Sequence, residues 1–195
     1  MQATTSIGTF ARTYLKQPLY PYQELIANAI LDSILRQRGL TFTVMLARQM
    51  GKNQLSAVLE AYLLCFKKSG TIVKAAPTFH PQIINSRARL LSMLDTPLAR
   101  GRIWKAYGYM IGVAPDEQQR DTQVGPRVMF FSAGPASSIV GATASLLLEV
   151  DEAQDVSVAK FDRDLRPMGS TTNAIASIFQ PSRPAITLLS VHTLA

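Results

Sequence analysis

The 195-residue sequence predicts a three-layer α/β fold, a mainly parallel central sheet flanked by helices. Three observations predict it. Short runs of β-formers alternate with longer runs whose apolar residues recur at helical spacing. Hydrophobic residues make up 47% of the chain, enough to cover both faces of a sheet. The two stretches richest in reactive side chains, residues 47–53 and Asp151–Glu152, each end a strand-like run. Ligands bind there in such sheets.

The elements follow in order. The first 20 residues, ending in "QPLYP", read as an irregular arm, and residues 21–195 as one domain. Pro21 suits a helix start, and "YQELIANAILDSILRQR" continues it with Leu25, Ile26, Ala29, Ile30 and Ile34 on one face. Gly39 ends that helix. "TFTVMLA" (41–47) is a buried strand, "GKNQLSAVLEAYLLCFKK" (51–68) a helix closed by Gly70, and "TIVKAAP" (71–77) a second strand. "HPQIINSRARLLSMLD" (80–95) is a third helix. "RIWKAYGYMIGV" and "RVMFFSA" are strands around a polar loop, and "SLLLEVDEA" (145–153) is an apolar strand ending in two acids. "DVSVAKFDRDLRPMG" is a short helix, and "AITLLSV" (185–191) a last strand.

Charged residues are only 17%, which excludes a largely disordered chain. The net charge of +7 and pI of about 9.8 favour an acidic partner, nucleic acid first. Cys65 is the only cysteine, so an intramolecular disulfide and a zinc cluster are excluded. Its setting, "AYLLCFKK", is that of a buried helix face. The N-terminus lacks the apolar core of a signal peptide, and no run is long enough to span a membrane. A reducing cytoplasmic setting is the expectation.

"LARQMGKNQLSA" (46–57) carries the chemistry. A phosphate-binding loop of the form G-x-x-x-x-G-K-[ST] lies between a strand and a helix. Its backbone N–H groups and the positive helix end surround the phosphates. Gly51, Lys52, the strand and the helix are in place. The first Gly is replaced by Leu46 and the metal-binding hydroxyl by Asn53. By itself a Gly-Lys pair at such a turn is common. "LLLEVDEA" supplies the second half of a site. Asp151 at the tip of a buried strand can hold Mg2+ through oxygen. Glu152 can orient or deprotonate an attacking water. Glu149 faces the same side as Asp151 by alternation, which leaves it lining a metal site or pairing with a basic residue.

"ARQMGKN" followed by "LLLEVDEAQ" resembles the ATPase domain of tailed-phage large terminases, the motors that pump DNA into capsids. That family's loop has the form [S/A]-R-Q-x-G-K-T, matched here by Ala47, Arg48, Gln49, Gly51 and Lys52. The resemblance implies a P-loop NTPase of the RecA/ASCE-like class. It implies ATP and Mg2+ as cofactors, with nucleotide contacts from Ala47, Arg48, Gln49, Met50, Gly51, Lys52, Asn53 and Gln54. Lys52, Arg48 and Glu152 would be catalytic, and Asn53 and Asp151 would hold the metal. "LYPYQ" matches an aromatic-plus-Gln element ahead of the first helix, which implies that Tyr22 and Gln23 recognise adenine. The coupling motif follows a strand after the acidic pair, and "ITLLSVHT" offers Ser190, His192 and Thr193. The implied partners are double-stranded DNA, the portal of the prohead and the small terminase. The implied assembly is a homo-oligomeric ring on the portal vertex in the host cytoplasm, the isolated domain being monomeric.

Two departures stand out. Asn53 replaces a hydroxyl, although an amide oxygen can also ligate Mg2+ or hold one of its waters. The family's arginine before the acidic strand is missing, since Val140 precedes Gly141. Arg100, Arg102 and Arg127 are alternatives for a finger acting on a neighbouring subunit, and Arg48 for one acting in cis. Lys67, Lys68, Arg87, Arg89, Arg100 and Arg102 form basic clusters that solvated helix ends explain equally well. The RNase H-like nuclease that follows the ATPase in large terminases has no counterpart in these 195 residues, so no DNA cutting is expected of them. Two other readings compete: a helicase-like or DNA-repair ATPase, and a non-enzymatic basic module that binds nucleic acid.

Overall fold

The computed structural model describes residues 5–137, 141–169, 174–179 and 188–193; in the last two segments it describes the backbone and the side chain of Ile175. The elements are α1 (Ile7–Thr13), α2 (Pro21–Leu35), β1 (Leu40–Met45), α3 (Lys52–Phe66), β2 (Thr71–Ala76), α4 (Ile84–Leu94), β3 (Ile103–Ala106), β4 (Met110–Val113), β5 (Arg127–Ser132), β6 (Leu147–Val150), α5 (Val158–Lys160), β7 (Ala174–Phe179) and β8 (Leu188–Thr193). Short 3-10 and π turns link several of them.

One sheet runs β3-β4-β5-β2-β6-β7-β1-β8. Its centre, β5-β2-β6-β7-β1, is parallel throughout. Antiparallel strands close both edges: the β3–β4 hairpin beside β5, and β8 beside β1. The expected three-layer α/β fold with a mainly parallel sheet is the one observed.

Strand alternation divides the core between the two faces. Ile72 and Ala76 of β2 point into the larger cluster, with α1–α4. Val73 and Ala75 point into the smaller one, with Leu148, Val150, Leu165, Met168 and Ile175. Every residue of β2 is buried, as a central parallel strand requires.

Four expectations change. The stretch read as an irregular arm contains α1, capped by Ser6, whose hydroxyl accepts the Thr9 N–H at 3.1 Å. Ile7, Phe10 and Ala11 are buried, and Phe10 meets Tyr62 and Phe66 edge-on at 5.5 Å. Tertiary burial, not propensity, decides so short a helix. The third helix begins at Ile84, because Phe79–Ile83 forms a π turn with His80 outside helical backbone. The strand "AIASIF", β7, is not among those the sequence predicts, yet it fills the place between β1 and β6. The last strand, described over Leu188–Thr193, runs past the expected end at 191, and its expected start at 185 lies outside the described residues.

Candidate functional site

The carboxyl ends of β1 and β6 point to the same edge of the sheet, separated by β7. Beyond β1 the chain turns through residues 46–51 into α3. Gln49 (φ 64°) and Gly51 (φ 71°) take left-handed backbone. Gly51 is required twice over. A side chain strains at that φ, and a Cβ there would stand 2.5 Å from the Gln23 amide nitrogen. Gly51 caps α3 without a side-chain bond, so the first N–H groups of α3 face the loop. Beyond β6, Asp151 is buried, and Glu152 also takes left-handed backbone (φ 49°). For a glutamate that conformation is costly, and such strain gathers at functional sites.

Lys52 joins the two tips. Its ammonium donates to Glu152 Oε1 and lies 3.8 Å from Asp151 Oδ1. Asp151 Oδ1 accepts the Glu152 N–H at 2.9 Å, and Gln154 donates to Glu152 Oε2 at 2.6 Å. Burial pushes the Asp151 carboxyl above its ordinary value; Lys74 and Lys52 oppose that push. Burial would also raise Glu152, but bonds from Lys52 and Gln154 and the nearby Arg48 charge hold it below the ordinary value.

Ala47, Arg48, Gln49, Gly51, Lys52, Asn53, Gln54, Glu152 and Arg89 line a cavity of about 360 Å³. Seven of these nine lie in the predicted loop. Arg89 enters from α4, and only its membership of a basic cluster was legible in the sequence. Met50 differs: its side chain packs on the core and its carbonyl is held from behind.

The residues expected at adenine do other work. Gln23 is fully buried and does not line the cavity. Its Oε1 accepts the Tyr20 N–H at 2.9 Å, capping α2. Its amide nitrogen donates to the carbonyls of Met50 and Gly51, both at 3.2 Å. With donors and acceptor engaged, the Gln23 amide braces the loop instead of reading a base. Tyr22 adds a bond from its hydroxyl to the Met50 carbonyl at 2.9 Å, and its ring stacks on Tyr20 at 5.7 Å. Gln23→Ala removes one bond from each of these loop carbonyls and the acceptor of the Tyr20 N–H, and is expected to destabilise the fold by about 1–3 kcal/mol. That is a melting point lower by several degrees, at roughly 2–4 °C per kcal/mol. An unchanged melting curve would show that the brace carries no stability.

The coupling candidates also move. β8 runs antiparallel to β1, pairing Ser190 with Thr43, His192 with Thr41 and Thr193 with Leu40. These residues lie within a strand and recede from the loop, so they do not follow a strand at the site. The strand whose tip lies between the two halves is β7. Residues 180–187, which follow it, lie outside the described residues.

Behind the tips lies a buried network. Lys74 of β2 pairs in register with Glu149 of β6, and its ammonium reaches Glu149 Oε1 at 2.9 Å and Glu60 Oε1 at 3.1 Å. Ser56 accepts from Lys74 and donates to Glu149 Oε1 at 2.5 Å. Glu149 thus pairs with a base in the interior. Among the described residues the Glu60 oxygens accept no well-directed hydrogen bond. Burial raises the Glu60 carboxyl to about 7, against the pull of Lys74. Burial disfavours the Lys74 charge, but Glu149 and Glu60 outweigh it and raise its pKa. The network ties α3, which carries Lys52, to β6, which carries the acids.

Of the candidate trans-acting arginines, Arg100 pairs with Asp95 at 2.9 Å. Arg102 bonds the carbonyls of Leu98, Ala114 and Pro115. Arg127 has its Nε buried without a hydrogen-bond partner among the described residues. No helix among the described residues is long and apolar enough to cross a membrane.

No known protein family profile matches the sequence, and no curated protein does. Solved structures do match. The large terminase of bacteriophage HK97 superposes with a TM-score of 0.66 at 16% identity over 92% of this chain. The large terminase ATPase domain of Thermus phage P74-26 gives 0.64 at 15% over 93%, and the large terminase of a thermophilic bacteriophage gives 0.60 at 15% over 84%. The chain spans 38% of the HK97 protein, 72% of the P74-26 domain and 39% of the thermophilic phage protein. At these identities the likeness is one of fold, and the fold is that of the ATPase domains of phage large terminases.

Proposed function

We propose that the chain hydrolyses ATP with Mg2+ and that, in a ring on a prohead portal, this drives double-stranded DNA into a viral capsid. The observation that carries the reading is the meeting of Lys52 with Asp151 and Glu152 at the tips of two strands on either side of β7. The loop N–H groups and Lys52 bind the β and γ phosphates. Asp151, with the Asn53 amide, suits Mg2+, which is held by one or two protein oxygens plus phosphates and water. When bound, Mg2+ neutralises charge on those phosphates. Glu152 orients the water whose oxygen attacks the γ-phosphorus. The bond from γ-phosphorus to the bridging oxygen breaks, ADP leaves with the electron pair, and the water proton passes to Glu152 or the phosphate. Because Lys52 bonds Glu152, phosphate and Glu152 compete for one ammonium. Phosphate binding would free the glutamate for water.

A thermal shift tests the site. A slowly hydrolysed ATP analogue with Mg2+, at a hundred times its Kd, is expected to stabilise the protein by about 2.7 kcal/mol. Stabilisation by DNA alone, with none from nucleotide, favours the basic binding module instead. Asn53→Thr is expected to leave hydrolysis equal or faster, measured as phosphate release across a Mg2+ titration. A large loss would give the amide a role that a hydroxyl cannot fill.

A further inference from the structure

We propose that Arg89 is a catalytic arginine of this site, contacting the terminal phosphate in cis from α4. The inference rests on the nucleotide reading above. Three cations wall the cavity: Arg48, Lys52 and Arg89. Lys52 is bonded to Glu152, and the charge of Arg48 acts on the same carboxylate. Arg89, like Arg48, has no hydrogen bond or ion pair among the described residues, and it comes from an element outside the loop. An exposed helix-face arginine of that kind would ordinarily be a solvated residue. This one faces the cavity that holds the phosphate loop and the water-orienting acid. α4 packs along α3, so the arginine stands on a rigid element beside Lys52.

Chemistry gives it a task. Hydrolysis moves negative charge onto the γ-phosphoryl and bridging oxygens as the phosphorus–oxygen bond breaks. A planar guanidinium binds two phosphate oxygens at once, which an ammonium does not. Arg100 and Arg102 are engaged by carboxylate and carbonyl partners. Among the described residues Arg89 is without a partner at the cavity and reaches it from α4, whereas Arg48 and Lys52 belong to the loop side of the chain.

The test compares Arg89→Ala, Arg89→Lys and Lys52→Ala by phosphate release and by titration with ATP and ADP. Melting curves check that each variant is folded. Arg89→Ala is expected to lower turnover at least about tenfold, with ADP affinity within about twofold of wild type, because the contact is to the terminal phosphate. Arg89→Lys recovers only part of the rate. Wild-type turnover in Arg89→Ala beside an inactive Lys52→Ala overturns the role of Arg89 and leaves the nucleotide reading standing. Wild-type turnover in Lys52→Ala as well overturns both. A loss confined to DNA affinity, with turnover intact, overturns the inference and makes Arg89 part of the basic surface.

Discussion

Glu152→Ala is expected to lower ATP turnover by about 10²- to 10⁴-fold, the range for a positioned general base, while Mg-ATP still binds. Its left-handed backbone holds the carboxylate beside Lys52. Its lowered pKa keeps it ionised at neutral pH, ready to accept from water. The substitution has a second consequence. It releases Lys52 from its carboxylate partner, so ATP affinity should hold or tighten as turnover falls. That split between binding and rate separates a lost base from a damaged pocket. Glu152→Gln keeps an acceptor for Lys52 but cannot take a proton, and it should be as slow. Undiminished hydrolysis in Glu152→Ala would sink the assignment.

Lys74→Met is expected to be the most destabilising single change, by about 3–5 kcal/mol, because it strands two buried carboxylates. At roughly 2–4 °C per kcal/mol the melting point falls by about 6–20 °C. The loss should depend on pH. The Glu60 pKa is about 7 against an ordinary 4.5. A carboxyl raised on folding costs nothing below its ordinary value, and stability is lost as pH climbs from there through the folded value. Lys74 holds that cost down, and without it the Glu60 pKa climbs further. The deficit of the variant should therefore be smaller near about pH 5 than near about pH 8. Thermal melts at the two pH values measure it, and an equal deficit at both would show that charge is not the cause.

Much of the site could be read from the chain because its parts are local. Gly51, Lys52 and Asn53 stand together at a strand–helix junction, and Asp151–Glu152 end a short apolar strand. The period of their neighbours placed both at sheet ends. What escaped was set by long-range packing. β7 reads "AIASIF", with two alanines and a serine among its six residues, so it lacked the β-branched density that marks β1. Its absence left β8, which runs antiparallel to β1, as the strand following the acidic pair. Gln23 looked like a base reader because its position in sequence does not reveal that its amide turns inward to Met50 and Gly51. The Lys74–Glu149 pair joins strands with many residues between them, so alternation could say which way Glu149 faced but not what it met. Arg89 needed the packing of α4 on α3 to reach the cavity.

The central claim is that residues 47–53 and Asp151–Glu152 form one ATP-hydrolysing site. The most direct measurement is phosphate release from ATP by wild type and Lys52→Ala, with Mg2+ and after its removal by chelation. Release that requires Mg2+ and falls at least about a hundredfold in Lys52→Ala is the predicted result. Equal release by the two proteins, or release indifferent to Mg2+, would contradict it.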